Sequence, residues 1–142
     1  METWQNHGLS FSYPDSWKLA EEGADDERSV TLHSPGTAFW TLILLWSRPD
    51  AEEVVDSALE AFEDEYDEVD MYEMDGTLCG QDCVATDIDF VCMEMVNTAS
   101  VRAVQLESLT MMVLWQAADL ELEDVRPVMD AITTSLKVQP PA

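Results

Sequence analysis

Residues 39–46 read FWTLILLW, and this segment limits the possible folds of the chain more than any other. Successive side chains of a β-strand point to opposite faces, and here large apolar side chains occupy both alternating sets of positions. Such a strand needs cover on two sides, so we predict that it lies in the middle of a sheet. The longest continuous apolar run, Leu42 to Trp46, has five residues, against the roughly 18 needed to span a bilayer.

Shorter runs of alternating apolar side chains predict further strands before this one. Leu9–Tyr13 and Trp17–Ala20 are expected to form two short strands, joined tightly by the turn Pro14-Asp15-Ser16. A polar loop over Glu21–Glu27 then leads to a strand over Ser29–His33.

The second half of the chain predicts another group of strands, among them one long strand and one turn. The predicted strands are Val69–Met74, Thr77–Cys79, Val84–Val96, Val101–Leu106 and Leu109–Trp115, with the turn at Asn97–Ser100.

Two helices are predicted from the 3.6-residue spacing of apolar side chains. The first begins after Asp50, which can cap it. The second runs from about Glu123 to Lys137, and it must start shortly before Pro127, because proline is tolerated only in the first turn of a helix. The buried stripe of the first helix is Ala51, Val54, Val55, Ala58, Leu59, Phe62 and Tyr66.

The predicted order is therefore β-β-β-β-α-β-β-β-β-α. Short connections favour an antiparallel sheet, and two amphipathic helices can cover its faces. No repeat or Gly/Ser-rich linker divides the sequence, so we predict one α+β domain over residues 1–142 with its core over about 8–138.

The charge is extreme and unevenly placed. The chain carries 30 acidic and 6 basic side chains, a formal net charge of −24, and the 53 residues between Arg48 and Arg102 hold 17 of the acids and no base. A nucleic-acid backbone or an anionic membrane would be repelled by this surface. Because 46% of the residues are apolar, the acidity does not imply disorder. We expect no nucleic-acid partner and no membrane association.

The acidic side chains of the first helix fall on the side opposite its apolar stripe. An anionic face of this kind steers cationic partners towards it by long-range attraction. The alternative is that the acids only keep the protein soluble or adapted to salt. The candidate partner-binding residues are Glu60, Glu63, Asp64 and Asp67.

The sequence predicts no catalytic residues and no cofactor. The chain has 5 glycines and lacks a phosphate-binding glycine loop, a His-Glu-x-x-His motif and a Gly-x-Ser-x-Gly motif. With 30 carboxylates, a close pair arises by chance and does not indicate acid–base catalysis. Cys79 and Cys83 lack a second close pair of ligands for zinc. The acidic stretch Asp64–Asp70 leaves open a calcium-binding or small-ligand domain as an alternative.

The three cysteines and eight methionines are the remaining residues with a candidate role. The odd number of cysteines (Cys79, Cys83, Cys92) favours reduced thiols and a cytoplasmic location, and the N-terminal residues do not predict a signal peptide. Six of the methionines could fill core gaps or line an adaptable groove for a partner helix. They are Met71, Met74, Met93, Met95, Met111 and Met112.

The segment GLSFSYPDSWKL, Gly8–Leu19, resembles the opening strand and turn of PsbP-like proteins. A Leu78-Cys79-Gly80 step into a long strand and a terminal helix that runs into Ser135–Val138 are similar to later parts of the same superfamily, which includes the Mog-type Ran-binding factors. The resemblance covers roughly Gly8 to Val138. It implies an α/β/α sandwich around an antiparallel sheet.

The resemblance also implies that the protein is not an enzyme, because most members bind partners: a photosystem, a small GTPase or, among bacterial relatives, secretion effectors held by a chaperone. No catalytic residues are shared across the superfamily. We therefore expect an acidic adaptor or chaperone-like protein that binds a basic or amphipathic protein partner.

Overall fold

The computed structural model describes residues 1–139. Within them the chain forms, in order, β1 (Glu2–Asn6), β2 (Leu9–Tyr13), β3 (Lys18–Ala24), β4 (Glu27–His33), β5 (Phe39–Leu45), α1 (Ala51–Glu65), β6 (Val69–Leu78), β7 (Gln81–Cys92), β8 (Met95–Gln105), β9 (Thr110–Ala118), α2 (Asp119–Ser135) and β10 (Lys137–Val138).

Seven of the strands form one antiparallel sheet in the order β3-β4-β5-β9-β8-β7-β6. The doubly apolar segment is β5, which pairs with β4 on one side and β9 on the other. Trp40, Leu42 and Leu44 are fully buried on one face of the sheet, and Ile43 packs into the cluster on the other face. The predicted α+β class with a mostly antiparallel sheet is confirmed, as is the interior position of this strand.

Helix α1 covers one face of the sheet. The side chain of Asp50 accepts a hydrogen bond from the backbone N–H of Glu52 at 2.9 Å, and so caps the helix as predicted. Val55 and Phe62 are buried against Ile88, Phe90 and the neighbouring strands. The start of α1 agrees with the sequence prediction, because the capping residue and the apolar stripe both indicate it.

Helix α2 packs against the core cluster that contains Trp40, Leu42 and Leu44, and it contributes Met129 and Ile132 to that cluster. It begins at Asp119 directly after β9, so the prediction that it starts near Glu123 was wrong. Pro127 lies inside the helix, not in its first turn. Because proline has no backbone N–H, the carbonyl of Glu123, four residues earlier, loses its helical hydrogen bond. Both residues are exposed, so water can donate to that carbonyl instead.

A separate three-stranded sheet, in the order β1-β2-β10, joins the two ends of the described chain. The predicted turn between Leu9–Tyr13 and Trp17–Ala20 is present, and the backbone N–H of Trp17 donates to the carbonyl of Pro14 at 3.0 Å. The two strands do not form a hairpin, because β2 pairs with β1 and β10 whereas β3 pairs with β4. Strand β1 was missed because it buries one side chain, that of Trp4.

Other predicted boundaries also differ from the structure. The two strands predicted over Val69–Met74 and Thr77–Cys79 are one continuous strand, β6. The predicted loop over Glu21–Glu27 is mostly strand, because β3 and β4 pair along their whole length. The predicted single strand over Val84–Val96 is broken by a tight turn at Met93 and Glu94, and the predicted turn at Asn97–Ser100 is continuous strand within β8.

Candidate functional site

The exposed side of α1 is almost wholly anionic. Its acidic side chains are all exposed, while its buried residues point towards the sheet. The exposed acids of the helix are Glu52, Glu53, Asp56, Glu60, Glu63, Asp64 and Glu65. We call this surface the acidic face of α1.

The four candidate partner-binding residues lie along this face and just beyond it. Glu60, Glu63 and Asp64 are exposed in the last two turns of α1, and Asp67 is exposed in the short connection to β6. Spacings of three and four residues place Glu60, Glu63 and Asp64 on neighbouring turns of one side of the helix. They are accessible to a partner.

The chain segment after α1 forms one wall of a cleft, and the turn between β7 and β8 forms the other. The walls are residues 65–68 and residues 91–94, and the cavity between them is about 520 Å³. The backbone N–H of Val91 donates to the carbonyl of Glu68 at 3.2 Å and joins the walls. Four carboxylates line this acidic cleft: Glu65, Asp67, Glu68 and Glu94.

Aromatic side chains connect the acidic cleft to the core. The ring centroid of Tyr66 lies 4.4 Å from that of Phe90, and Phe90 lies 5.1 Å from Phe62. Burial raises the pKa of the Tyr66 hydroxyl, and the charge of Glu65 and the nearby Cys92 raise it further. The cleft therefore combines carboxylates with apolar contact area, a combination that suits the long side chains of Lys and Arg.

The turn that forms the second wall holds its residues in an unusual conformation. Met93 has φ 53° and Glu94 has φ 64°, in the left-handed region that non-glycine residues rarely adopt. The side chain of Met93 is 94% exposed. An apolar side chain thus projects beside the carboxylates of the acidic cleft.

The electrostatic potential at this end of α1 is strongly negative. The last turn of the helix carries acidic side chains and no basic one, although the C-terminal end of a helix already bears partial negative charge. Within residues 1–139 the ion pairs are Arg28–Glu21, at 3.9 Å, and Arg126–Asp87, at 3.2 Å, both away from the cleft. The carboxylates of the cleft are left to attract external cations.

The methionine set divides between core and surface. Met111 and Met112 are buried in the core. Met74, Met93 and Met95 are exposed to 45%, 94% and 40%. Because Met111 and Met112 are buried, the six methionines do not line one surface groove.

In the described part of the chain the three thiols are free and the metal-binding candidates are dispersed. Cys79, Cys83 and Cys92 are all free, and burial raises the pKa of Cys79 to about 11, which leaves its thiol protonated at neutral pH. Among residues 1–139, His, Cys, Asp and Glu side chains do not form a group of three or more with metal-binding geometry, and this includes the stretch Asp64–Asp70.

The sequence predicted Asp67 and the acidic face of α1, but it did not predict the second wall of the cleft, residues 91–94. The fold brings that wall to the helix because Val69 pairs with Phe90 in the β6–β7 ladder. One signal was present: Glu94 is the single charge in the otherwise apolar run from Phe90 to Val96.

Comparisons with known proteins give the fold. The sequence matches no protein-family model and no curated protein. Among solved structures, the chain is similar to cyanobacterial PsbP (CyanoP) from Synechocystis sp. PCC 6803, with a TM-score of 0.66, 13% identity and coverage of 96% of this chain and 91% of that one.

Two other solved structures are similar over most of their length. The protein of unknown function PA94 from Pseudomonas aeruginosa, a putative regulator by its description, gives a TM-score of 0.60 at 16% identity and 99% coverage of both chains. LpqN from Mycobacterium tuberculosis, which is involved in cell envelope biogenesis, gives 0.56 at 13% identity, with coverage of 93% of this chain and 83% of that one. The fold is PsbP-like. Within residues 1–139, neither helix is long and apolar enough to cross a membrane.

Proposed function

We propose that this protein is a non-enzymatic interaction module, an acidic adaptor or chaperone-like protein, that binds a basic amphipathic segment of a partner protein. The segment binds in the acidic cleft and along the acidic face of α1. The observation that carries the proposal is the cleft itself: four carboxylates and the ring of Tyr66 line it at the C-terminal end of a helix, and Met93 is exposed beside them.

The chemistry of the cleft supports a basic amphipathic partner. Cationic side chains would neutralise Glu65, Asp67, Glu68 and Glu94, while apolar side chains on the same segment would contact Met93. A purely polar cation would leave Met93 uncovered, and a purely apolar segment would leave the carboxylates without a counterion. An amphipathic basic segment satisfies both.

We also propose that α1 and α2 lie on opposite faces of the seven-stranded sheet in an α/β/α sandwich, as in PsbP-like and Mog-type proteins. The separate core clusters of the two helices support this layout. Three free thiols fit the cytoplasmic location that we propose for the protein.

A direct binding measurement tests the function. The probe is a dye-labelled amphipathic peptide of Lys and Leu, compared by fluorescence anisotropy with a peptide in which Glu replaces every Lys. We expect saturable binding of the basic peptide only. Raising the ionic strength from about 0.01 M to about 1 M shortens the screening length from about 30 Å to about 3 Å and should weaken that binding at least tenfold. Equal affinity for the two peptides, or affinity independent of salt, would refute the proposal.

A further inference from the structure

A second polar cavity lies away from the acidic cleft, between β6, β7, β8 and α2. It has a volume of about 430 Å³, and Arg102 and Arg126 both line it. These are two of the six basic side chains in a chain of net charge −24. We call this cavity the arginine pocket.

Arg126 forms one wall and is already neutralised. Its Nη2 donates to Oδ2 of Asp87 at 3.2 Å, and its guanidinium carbon lies 5.4 Å from the ring centroid of Trp115. The ion pair and the cation–π contact hold the guanidinium in place. Arg126 therefore shapes the pocket rather than supplying a free charge.

Arg102 is held differently. It lies on β8 opposite Ala85 of β7, and its guanidinium reaches across β7 to Gly76 of β6. A Cβ atom at Gly76 would lie 3.3 Å from the guanidinium carbon, so the glycine leaves room for it. Among residues 1–139, neither ion pair involves Arg102. Its fork of N–H donors is therefore available to a ligand.

The charges that line the pocket select the ligand. Two arginines face two carboxylates, those of Asp87 and Asp130, so the formal sum is zero. A monoanion can bind to Arg102, whereas the dianionic form of phosphate would be repelled more strongly by the two carboxylates, Asp87 and Asp130. A carboxylate matches the planar fork of a guanidinium. The side chain of Met74, which also lines the pocket, offers apolar contact beside it.

We propose that the arginine pocket is a binding site for a carboxylate that carries a short apolar group. The carboxylate oxygens accept hydrogen bonds from the guanidinium of Arg102, and the apolar group packs on Met74. The carboxylate comes either from a free aliphatic acid or from the C-terminal residue of a polypeptide. This site is independent of the acidic cleft and of the proposed partner.

NMR titration of the folded protein tests the site with three probes: propionate, a short peptide that ends in Leu with a free carboxylate, and the same peptide with a C-terminal amide. We expect propionate or the acid peptide to shift the backbone amide signals of Gly76, Thr77, Arg102 and Thr134 in a saturable way. The amide peptide should leave them unchanged. Tighter binding of the acid peptide assigns the C-terminal source, and tighter binding of propionate assigns the free acid.

Variants tie the binding to Arg102. Arg102→Gln should weaken carboxylate binding about tenfold or more. Arg102→Lys should weaken it less, because lysine keeps the positive charge but lacks the planar pair of guanidinium donors. Gly76→Ala, which displaces the guanidinium while keeping the arginine, should also weaken it. Arg28→Gln, which removes an arginine outside the pocket, should change it less than twofold.

Three results of the titrations, and one result with the variants, would overturn the proposal. The first is an absence of saturable, localised shifts with both propionate and the acid peptide. The second is equal binding of the acid and amide peptides. The third is tighter binding of inorganic phosphate than of propionate at the same amides. Retained affinity in Arg102→Gln and in Gly76→Ala would equally exclude Arg102 as the ligand-binding group.

Discussion

The indole Nε1 of Trp40 donates a hydrogen bond of 2.9 Å to Oγ1 of Thr133, and both residues are buried. The same hydroxyl donates to the carbonyl of Met129 at 2.8 Å. One threonine therefore joins the interior strand β5 to α2 and satisfies a polar group within the larger core cluster.

Replacing Thr133 with Val should destabilise the protein. Valine keeps the shape but leaves the indole N–H of Trp40 without an acceptor, which costs about 1–3 kcal/mol. Urea unfolding followed by tryptophan fluorescence measures the change. Thr134→Val, at the exposed neighbour, is the matched control and should stay within about 0.5 kcal/mol of the wild type. Equal effects of the two variants would show that the hydrogen bond contributes nothing.

The turn at Met93 and Glu94 should be a site where stability can be gained. Both residues have positive φ, and the turn of a two-residue hairpin favours Asn-Gly. Met93→Asn combined with Glu94→Gly should raise the free energy of unfolding by about 1–2 kcal/mol, because the left-handed conformation costs about that much for ordinary residues. Thermal and urea unfolding check this. The same variant should bind the basic peptide more weakly, since it removes an apolar contact and a carboxylate from the acidic cleft.

The acidic side chains at the C-terminal end of α1 should lower the stability of the protein. Glu65→Lys places a positive charge at the negative end of the helix and should stabilise the protein by about 0.3–1 kcal/mol at low ionic strength, with a smaller gain at high salt. Glu52→Lys, in the first turn, should destabilise it by a similar amount. Loss of stability in Glu65→Lys would mean that the acidic side chains at this end are structural.

The stability of the protein should fall in strongly alkaline solution partly because of Cys79. Burial raises its pKa from 9.0 to about 11 in the folded state. Between these values the unfolded chain binds fewer protons at this thiol than the folded chain, so the free energy of unfolding decreases as pH rises. Urea midpoints measured from pH 8 to pH 11 should fall less steeply in Cys79→Ser than in the wild type. Parallel curves would contradict the assignment.

The parts of the fold that the sequence predicted well are those where two local signals coincide. Helix α1 has both a capping residue at Asp50 and a regular apolar stripe, and β5 is apolar on both faces. The β7–β8 turn was misplaced because Met93 and Glu94, which form it, are not residues that favour turns. The pairing of β7 with β8 determines its position, although both residues must adopt positive φ there.

The candidate site was predictable only in part for the same reason. The acidic face is a local property of one helix, and Glu60, Glu63 and Asp64 follow from its periodicity. The acidic cleft is not local, because it forms where the pairing of Val69 with Phe90 brings a distant turn beside the end of α1. Pairing register of this kind depends on tertiary packing, and the alternation of side chains alone does not determine it.

The most direct test of the proposed function is charge reversal on the acidic face with a control of equal charge. The test variant is Glu60→Lys, Glu63→Lys and Asp64→Lys. The control reverses the exposed Asp15, Glu123 and Asp124, which lie outside α1. Both variants change the net charge equally, so a nonspecific effect of the total charge would weaken binding of the Lys and Leu peptide equally in both.

The measurement is the affinity of the dye-labelled Lys and Leu peptide for the wild type and the two variants at low ionic strength. We predict a loss of at least about tenfold in the test variant and less than about threefold in the control, since close charges contribute most to association. An equal loss in the two variants, or no loss in the test variant, would contradict the assignment of the acidic face of α1 as part of the binding site.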